Sequence, residues 1–320
     1  MNFNLLIDNL TNPALLFFVL GILAVYLKSD LVIPQNSSKF ISLYLLFAIG
    51  FKGGQELSHE SLTSEIGWSM IFGVTISALI PIYTFFILRR KLSVYDSGAI
   101  SAAYGSVSAV TFVTAVSYIE AQQLTLHGHM VAIMALMESP AIIIGLLLVS
   151  TFNQEESNRI NKVSVLKHSI TNGSVLLILG SLVIGYIANA KQAEGIKPFT
   201  NDLFKGFLAI FLLDMGITSG KKLKAFFSFG WFPLIFAVTI PLFNGCVVAM
   251  LSGMVTSDIS SRFMFAILAA SASYIAVPAA MKISVPKANP GLFLPMALAV
   301  TFPVNITMGM PLYYLVVQNT

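Results

Sequence analysis

Charged residues are scarce in this chain. Aspartate, glutamate, lysine and arginine make up 10% of its 320 residues, whereas 56% are hydrophobic. A soluble domain carries about 25% charged residues, so this composition cannot cover a water-facing surface. A soluble helical protein would also need amphipathic helices, but the stretches 71–88, 131–149 and 232–251 are apolar on every side. The composition therefore predicts a membrane protein.

Cysteine is almost absent as well. Cys246 is the single one, which excludes an internal disulfide. The net charge of +4 comes from basic residues in separate short segments, so no nucleic-acid partner is expected. The first twelve residues lack the basic region of a signal peptide, so we expect the first apolar stretch to stay in the mature protein.

Ten apolar stretches approach the length of a membrane span. A helix needs about 20 residues to cross ~30 Å of hydrocarbon. The fold class expected is therefore an all-α polytopic membrane protein with ten transmembrane helices. The expected spans are 13–27, 39–54, 66–89, 96–118, 129–151, 171–189, 202–219, 230–251, 258–281 and 291–317.

Basic residues predict how these spans are oriented. Cytoplasmic loops are enriched in lysine and arginine. Most of the 18 basic residues lie in odd-numbered connections, for example Arg89, Arg90, Lys221 and Lys222. We therefore expect the odd connections in the cytoplasm, both termini outside, and the chain in the cell's inner (plasma) membrane.

The chain also repeats itself. Residues 71–76 (IFGVTI) recur as 235–240 (IFAVTI), and the two tryptophans, Trp68 and Trp231, each precede one copy. Further matches at an offset of 162–167 pair Asp96 with Asp258, Ser106 with Ser273, and Met134 with Met296. We expect a first five-helix repeat over 1–151, a cytoplasmic linker over 152–170 and a second repeat over 171–320. Five is an odd number, so the second copy must be inverted, as in many secondary transporters.

The fourth span of each copy is unusually rich in small and hydroxyl residues. The stretches 101–111 and 270–278 place Gly105 and Pro278 where a continuous helix would prefer leucine. A break there would leave helix amino termini facing the membrane centre, where N–H groups bind anions. The alternative is a continuous bundle in which small residues allow tight packing. The candidate substrate-binding residues are Gly105, Ser106, Val107 and Ser108, with Ser271, Ala272, Ser273 and Tyr274.

Polar residues inside other spans are candidates for ion coupling. Glu138 lies near the middle of the fifth span, where a carboxyl costs about 2.5–3.5 kcal/mol on insertion scales. Its alternative role is a protonated group bonded to a neighbouring helix. Asp214 lies nearer a span end, and Asn244 and Asn305 carry amides that neighbouring helices readily satisfy.

Other polar residues fit structural roles. Asp96 and Asp258 each precede a span and are expected to be helix N-caps. His127 and His129 flank one glycine, but no further ligand lies nearby in the sequence, so a metal site is not expected there.

The motifs at 104–111 (YGSVSAVT) and 270–290 (ASASYIAVPAAMKISVPKANP) resemble the sodium-dependent bicarbonate symporter family of cyanobacteria and its bacterial homologues. The segments 49–54, 137–140 and 214–216 fit the same pattern. The resemblance runs from end to end. It implies ten spans, a core moving against a scaffold, a homotrimer, and bicarbonate held between two broken helices with Na+ alongside. It implies no other cofactor or metal.

The chain departs from this family where coupling is decided. Tyr274 stands at a position where family members carry an aspartate, Lys52 replaces a threonine, and Glu138 replaces an aspartate. One hypothesis is that Lys52 lies near Glu138 and takes the place of Na+; the alternative is that it reaches into outside water. The candidate coupling residues are Lys52, Thr111, Glu138, Asp214 and Asn305. The linker is shorter than in several members, so a PII-like regulator is not expected.

The leading interpretation is thus a secondary transporter of a small anion, bicarbonate first. An organic-anion symporter of the bile-acid type and an anion channel stay open as alternatives. An intramembrane hydrolase is disfavoured because all four histidines lie in or near loops, which leaves no nucleophile-and-base pair. We therefore do not expect an enzyme.

Overall fold

The computed structural model describes residues 13–60, 63–152 and 173–320. The described residues are helical and contain no strand, which confirms the all-α prediction. The predicted linker 152–170 lies outside the described residues, apart from its first position.

The helices are α1 (Pro13–Tyr26), α2 (Gln35–His59), α3 (Ser64–Leu88), α4 (Val94–Gly105), α5 (Ala109–Ala121), α6 (Gly128–Phe152), α7 (Gly173–Ile187), α8 (Ala190–Lys197), α9 (Phe204–Phe226), α10 (Trp231–Leu251), α11 (Ile259–Ala270), α12 (Ala276–Ser284) and α13 (Pro290–Gln318).

Six helical segments are long and apolar enough to cross a membrane, which agrees with a membrane protein. They are Ser64–Leu88, Val94–Ala121, Gly128–Phe152, Ala190–Leu223, Trp231–Met254 and Pro290–Gln318. Three shorter apolar helices accompany them: Leu15–Tyr26, Leu176–Ile187 and Ile259–Ala270. Gln35–His59 is 25 residues long but carries several polar side chains.

The fourth and ninth predicted spans are each interrupted. α4 ends at Gly105 and α5 begins at Ala109, while α11 ends at Ala270 and α12 begins at Ala276. We call residues 106–108 the first break and residues 271–275 the second break. The expectation of two broken helices therefore describes the backbone correctly. The alternative of continuous small-residue helices is wrong.

Glycines allow the backbones of two helix pairs, α1 with α9 and α7 with α2, to approach each other closely. α1 packs on α9, where a Cβ on Gly21 would lie 2.3 Å from the Leu213 carbonyl oxygen. α7 packs on α2, where a Cβ on Gly185 would lie 2.2 Å from the Phe51 carbonyl oxygen. Small residues let helix backbones approach this closely. In the repeat that the sequence predicts, α1 and α7 are equivalent positions, and so are α2 and α9.

The helices fall into two groups by their contacts. α1, α2, α7 and α9 form the four-helix group, and α2 also packs against α9. The core group contains α3 to α6 and α10 to α13, in which α6 packs on α3 and α4, and α10 packs on α11. The two groups meet mainly where α2 lies against α6 and where α9 lies against α13.

One predicted helix cap is corrected and one is confirmed. Ser93, not Asp96, caps α4, because its hydroxyl oxygen accepts the Asp96 N–H at 3.0 Å. Asp96 lies inside the first turn, and its carboxylate accepts the Asn289 N–H at 2.7 Å, which ties the start of α4 to the start of α13. Asp258 caps α11 as expected and accepts the Ser261 N–H at 2.7 Å.

Candidate functional site

The two breaks contact each other directly. The Ser108 N–H donates to the Ser271 hydroxyl at 3.0 Å, and the Ser273 N–H donates to the Ala103 carbonyl at 2.8 Å. The structure thus brings the two halves of the predicted substrate site together, although their residues lie more than 160 positions apart. We call this meeting point the crossing.

Helix amino termini face the crossing from both sides. The first N–H groups of α5 and α12 have no partner within their own helix. Ser108 caps α5 by accepting the Thr111 N–H at 3.2 Å, and Ser273 accepts the Val277 N–H at 3.4 Å. These caps use one N–H in each helix, so the remaining N–H groups and the positive ends of two helix dipoles are available to an anion.

The opposing helix carboxyl terminus is satisfied by protein amides. The Asn305 amide donates to the Ala270 carbonyl at 2.7 Å, and the Asn244 amide donates to the Ala269 carbonyl at 3.3 Å. The Asn305 oxygen accepts the Tyr313 hydroxyl at 2.9 Å. Asn305, predicted as a coupling residue, therefore holds the end of α11. These bonds satisfy two carbonyl groups at the end of α11 and use no N–H group of α12.

Two buried hydroxyls lie at the crossing. The Ser106 hydroxyl in the first break makes no hydrogen bond with any described residue, whereas the Tyr274 hydroxyl in the second break interacts with Ser108 in the first. Ser106 is fully buried. A buried hydroxyl without a partner is unfavourable unless a ligand or water completes it. Both groups can donate to an anion.

Gly105, predicted as a substrate-binding residue, ends α4 directly before the first break. A Cβ at Gly105 would lie 2.3 Å from Pro81 Cγ and 3.0 Å from the Ser77 carbonyl oxygen on α3. Gly105 is therefore required for close packing of α4 on α3. Val107 and Ala272 are buried at the breaks, where their backbone rather than their side chains can contact a ligand.

A cavity of about 590 Å³ reaches the crossing from one end of the molecule. Tyr274 and Leu298 line its inner part, and Lys39 and Lys221 line it near the odd-numbered connections. Asp214 also lines this cavity and accepts the Ser38 hydroxyl. The crossing is thus open towards the end that the basic residues assign to the cytoplasm.

A second pocket, of about 240 Å³, lies at the other end and contains none of the break residues. Lys52 lines it and donates to Glu120, which also faces Lys205 at 3.7 Å. Glu120 is eleven residues beyond the start of α5, or about 17 Å at 1.5 Å per residue. Lys52 thus pairs with Glu120 and not with Glu138 or the breaks, and its side chain is 29% exposed in a pocket at the even-numbered end. Sequence reasoning missed Glu120 because no local spacing relates it to Lys52.

Glu138 is half-buried on α6 and has no hydrogen bond or ion pair among the described residues. The adjacent Met137 carbonyl accepts the Ser77 hydroxyl from α3. Its helix packs against α12, the second half of the other broken helix. The structure therefore places Glu138 on an element that contacts the second broken helix, but it does not pair its carboxyl with Lys52.

The even-numbered connections bring together Glu60, His127, His129 and Asp258, which we call the His–Glu cluster. Hydrogen bonds to Asp258 and Glu60 raise the pKa of His127 to about 10. Burial opposes ionisation of Asp258 and Glu60, but bonds from His127 outweigh it, so the pKa of Asp258 falls to about 2 and that of Glu60 falls below its usual range. The sequence did not indicate that Glu60 lies beside the two histidines, because Glu60 is more than 60 positions away from them.

A comparison of the sequence with known families gives a match. A sequence model described as the Na+-dependent bicarbonate transporter superfamily matches residues 13–318, which is nearly the whole chain. No curated protein matches the chain.

Proposed function

The chain belongs to the Na+-dependent bicarbonate transporter superfamily. On this premise we propose that it is a secondary active transporter that moves bicarbonate by alternating access, driven by Na+. The observation that carries the proposal is the unpartnered buried hydroxyl of Ser106 beside two helix amino termini at the crossing, with the Tyr274 hydroxyl facing Ser108 there. Hydroxyl and N–H donors around one point suit a small planar oxyanion.

The two ends of the molecule support a carrier rather than a channel. The cavity at the odd-numbered end reaches Tyr274, while the pocket at the even-numbered end stops at Lys52 and Glu120. Access from one side at a time is the property that alternating access needs. The core group would then move against the four-helix group to open the other side. Lys39 and Lys221 would attract the anion at the cytoplasmic mouth.

The cavity size favours a second candidate substrate, an organic anion. Its volume of about 590 Å³ falls within the range of ligand pockets for drug-sized molecules. Bicarbonate remains the first choice because the Ser106 hydroxyl and the helix amino termini lie at the crossing, where Ser106 is fully buried and is not part of the cavity lining. Competition separates the two: excess taurocholate should leave bicarbonate transport unchanged, and strong inhibition would favour the organic anion.

Asp214 is the carboxylate that we assign to Na+. It is nearly buried, lines the cavity with Tyr274 and has no ion pair with a described residue. Its oxygens and the Ser38 hydroxyl are the hard ligands that Na+ prefers. Lys52 donates to Glu120 and does not lie at the crossing, so we do not propose that it takes the place of Na+. A homotrimer in the plasma membrane, with both termini outside, completes the proposal.

The coupling proposal is tested by uptake of labelled bicarbonate into proteoliposomes against Na+ concentration. Wild-type uptake should rise with an inward Na+ gradient, and Asp214→Asn should lose at least 10-fold of that stimulation. Asp202→Asn, an exposed aspartate before the same helix, is the matched control and should respond as wild type. Wild-type uptake that is independent of Na+ would overturn the coupling, although not the transport.

A further inference from the structure

The His–Glu cluster has the distances of a transition-metal site. His127 Nδ1 lies 3.4 Å from Glu60 Oε1, and His129 Nδ1 lies 2.8 Å from Glu60 Oε2. One ligand atom from each of the three residues can be chosen so that all lie within 4.8 Å of one another. Ligand atoms of a tetrahedral Zn2+ site, with bonds of about 2.0–2.1 Å, are about 3.3 Å apart. Small side-chain shifts would bring all three to one ion.

The surrounding groups orient the ligands. His127 Nε2 lies 3.3 Å from the Asp258 carboxylate, so its second nitrogen can donate there while Nδ1 binds the metal. This carboxylate–histidine–metal arrangement is the usual support of a histidine ligand. Asp258 is itself fixed by the Ser261 N–H, and Glu60 is fixed by the Gly128 N–H at 2.7 Å.

We propose that Glu60, His127 and His129 bind Zn2+ at the even-numbered end of the molecule, with Asp258 as a positioning residue. Two imidazoles and one carboxylate form a recognised zinc ligand set and leave a fourth position for water. A divalent ion would neutralise the two negative charges that Glu60 and Asp258 bring to this site.

The ligands come from both helix groups. Glu60 follows α2 of the four-helix group, whereas His127 and His129 lie at the start of α6 and Asp258 at the start of α11, both in the core group. A bound ion would fasten the two groups at this end while the 590 Å³ cavity stays open at the other. Zn2+ should therefore hold the carrier in this state and inhibit transport. This last step rests on the proposed function, whereas metal binding does not.

The test is calorimetric titration of the purified full-length protein in detergent with Zn2+. We expect one Zn2+ per chain, with affinity falling at least 10-fold in His129→Ala and in Glu60→Gln. Asp258→Asn keeps a helix-capping side chain but removes the carboxylate that orients His127, so it should weaken binding about 10–100-fold. His59→Ala, one residue before Glu60 and exposed, is the matched control and should bind as wild type.

Monodisperse elution and an unchanged unfolding temperature without metal would establish that each variant is folded. Equal Zn2+ affinity in wild type, His129→Ala and Glu60→Gln, or no binding by wild type, would overturn the site. In proteoliposomes, Zn2+ should slow uptake by wild type and not by His129→Ala. Binding without inhibition would overturn only the proposal that Zn2+ fastens the two helix groups and slows transport. Transport measured without Zn2+ tests the proposed function separately.

Discussion

The Ser106 hydroxyl offers a direct test of the crossing at the scale of one residue. Since it has no protein partner, Ser106→Ala should not lower the unfolding temperature. A hydrogen bond to a charged group contributes about 1.5–3 kcal/mol, so KM for bicarbonate should rise about 10-fold or more. Thermal unfolding and initial uptake rates measure the two effects.

Ser101→Ala is the matched control for that variant. Ser101 lies on the same half-helix, but its hydroxyl donates to the Gly98 carbonyl at 3.0 Å within its own helix. Its removal should leave KM unchanged. An unchanged KM in Ser106→Ala as well would mean that the Ser106 hydroxyl does not contact the substrate.

Gly105 gives a second prediction, which concerns packing. Gly105→Ala should lower stability by about 1–3 kcal/mol, because its Cβ would overlap Pro81. Adding Pro81→Ala removes the overlapping Cγ and Cδ contacts, so the double variant should recover part of the loss in a double-mutant cycle. Gly67→Ala is the control, because Gly67 lies on α3, the helix that carries Pro81, and nothing lies within 4 Å of its Cβ. Strict additivity of Gly105→Ala and Pro81→Ala would contradict this contact.

The residue types at the crossing were predictable, but their partners were not. Small and hydroxyl residues at equivalent places in both copies marked Ser106, Ser108, Ser271 and Ser273. The apolar surroundings gave no sign of what each would face. Gly105 was therefore predicted to be a substrate-binding residue, and its close contact with Pro81 was not predicted. Long-range pairs of this kind depend on the tertiary arrangement, which local patterns do not encode.

At the scale of elements, the glycine-mediated helix pairs carry a prediction. Gly21→Val and Gly185→Val should each lower the unfolding temperature, because each new side chain would meet the backbone of the partner helix. The two losses should be similar, since the pairs α1–α9 and α7–α2 are equivalent in the proposed repeat. Thermal unfolding in detergent measures both.

Gly180→Val, on the same α7 helix as Gly185, is the control, because nothing lies within 4 Å of its Cβ. It should cost no more than a small helix-propensity change. A loss at Gly21 without one at Gly185 would argue against equivalent pairs and thus against the repeat.

The positions of the helices were largely predictable from apolar length, and their ends were not. Gln35–His59 extends beyond the predicted span 39–54 at both ends, where exposed polar residues such as Gln35, Asn36 and His59 continue the helix past its apolar part. The cap at Ser93 was missed because Asp96, three residues later, is the more conspicuous residue. The breaks were predictable because serines occur in the middle of the span in both copies, together with Gly105 in the first copy and Pro278 in the second.

At the scale of the whole molecule, the sequence predicted a membrane protein with a repeat, and the packing into two helix groups became visible only in three dimensions. Lys52 shows the limit most clearly. Its change from the family pattern was apparent, but its partner Glu120 lies 68 positions away on another helix. The two helix groups and the cavity that opens at one end are the features that make this helix bundle a candidate carrier.

Counterflow of bicarbonate is the measurement that tests the account most directly. Proteoliposomes loaded with unlabelled bicarbonate are diluted into tracer at alkaline pH, where little CO2 is present to cross the bilayer unaided. An alternating-access carrier should concentrate tracer inside transiently, above its final equilibrium level, and Ser106→Ala should need more bicarbonate to do so. Tracer that only approaches equilibrium, or that enters no faster than in protein-free liposomes, would contradict a bicarbonate carrier.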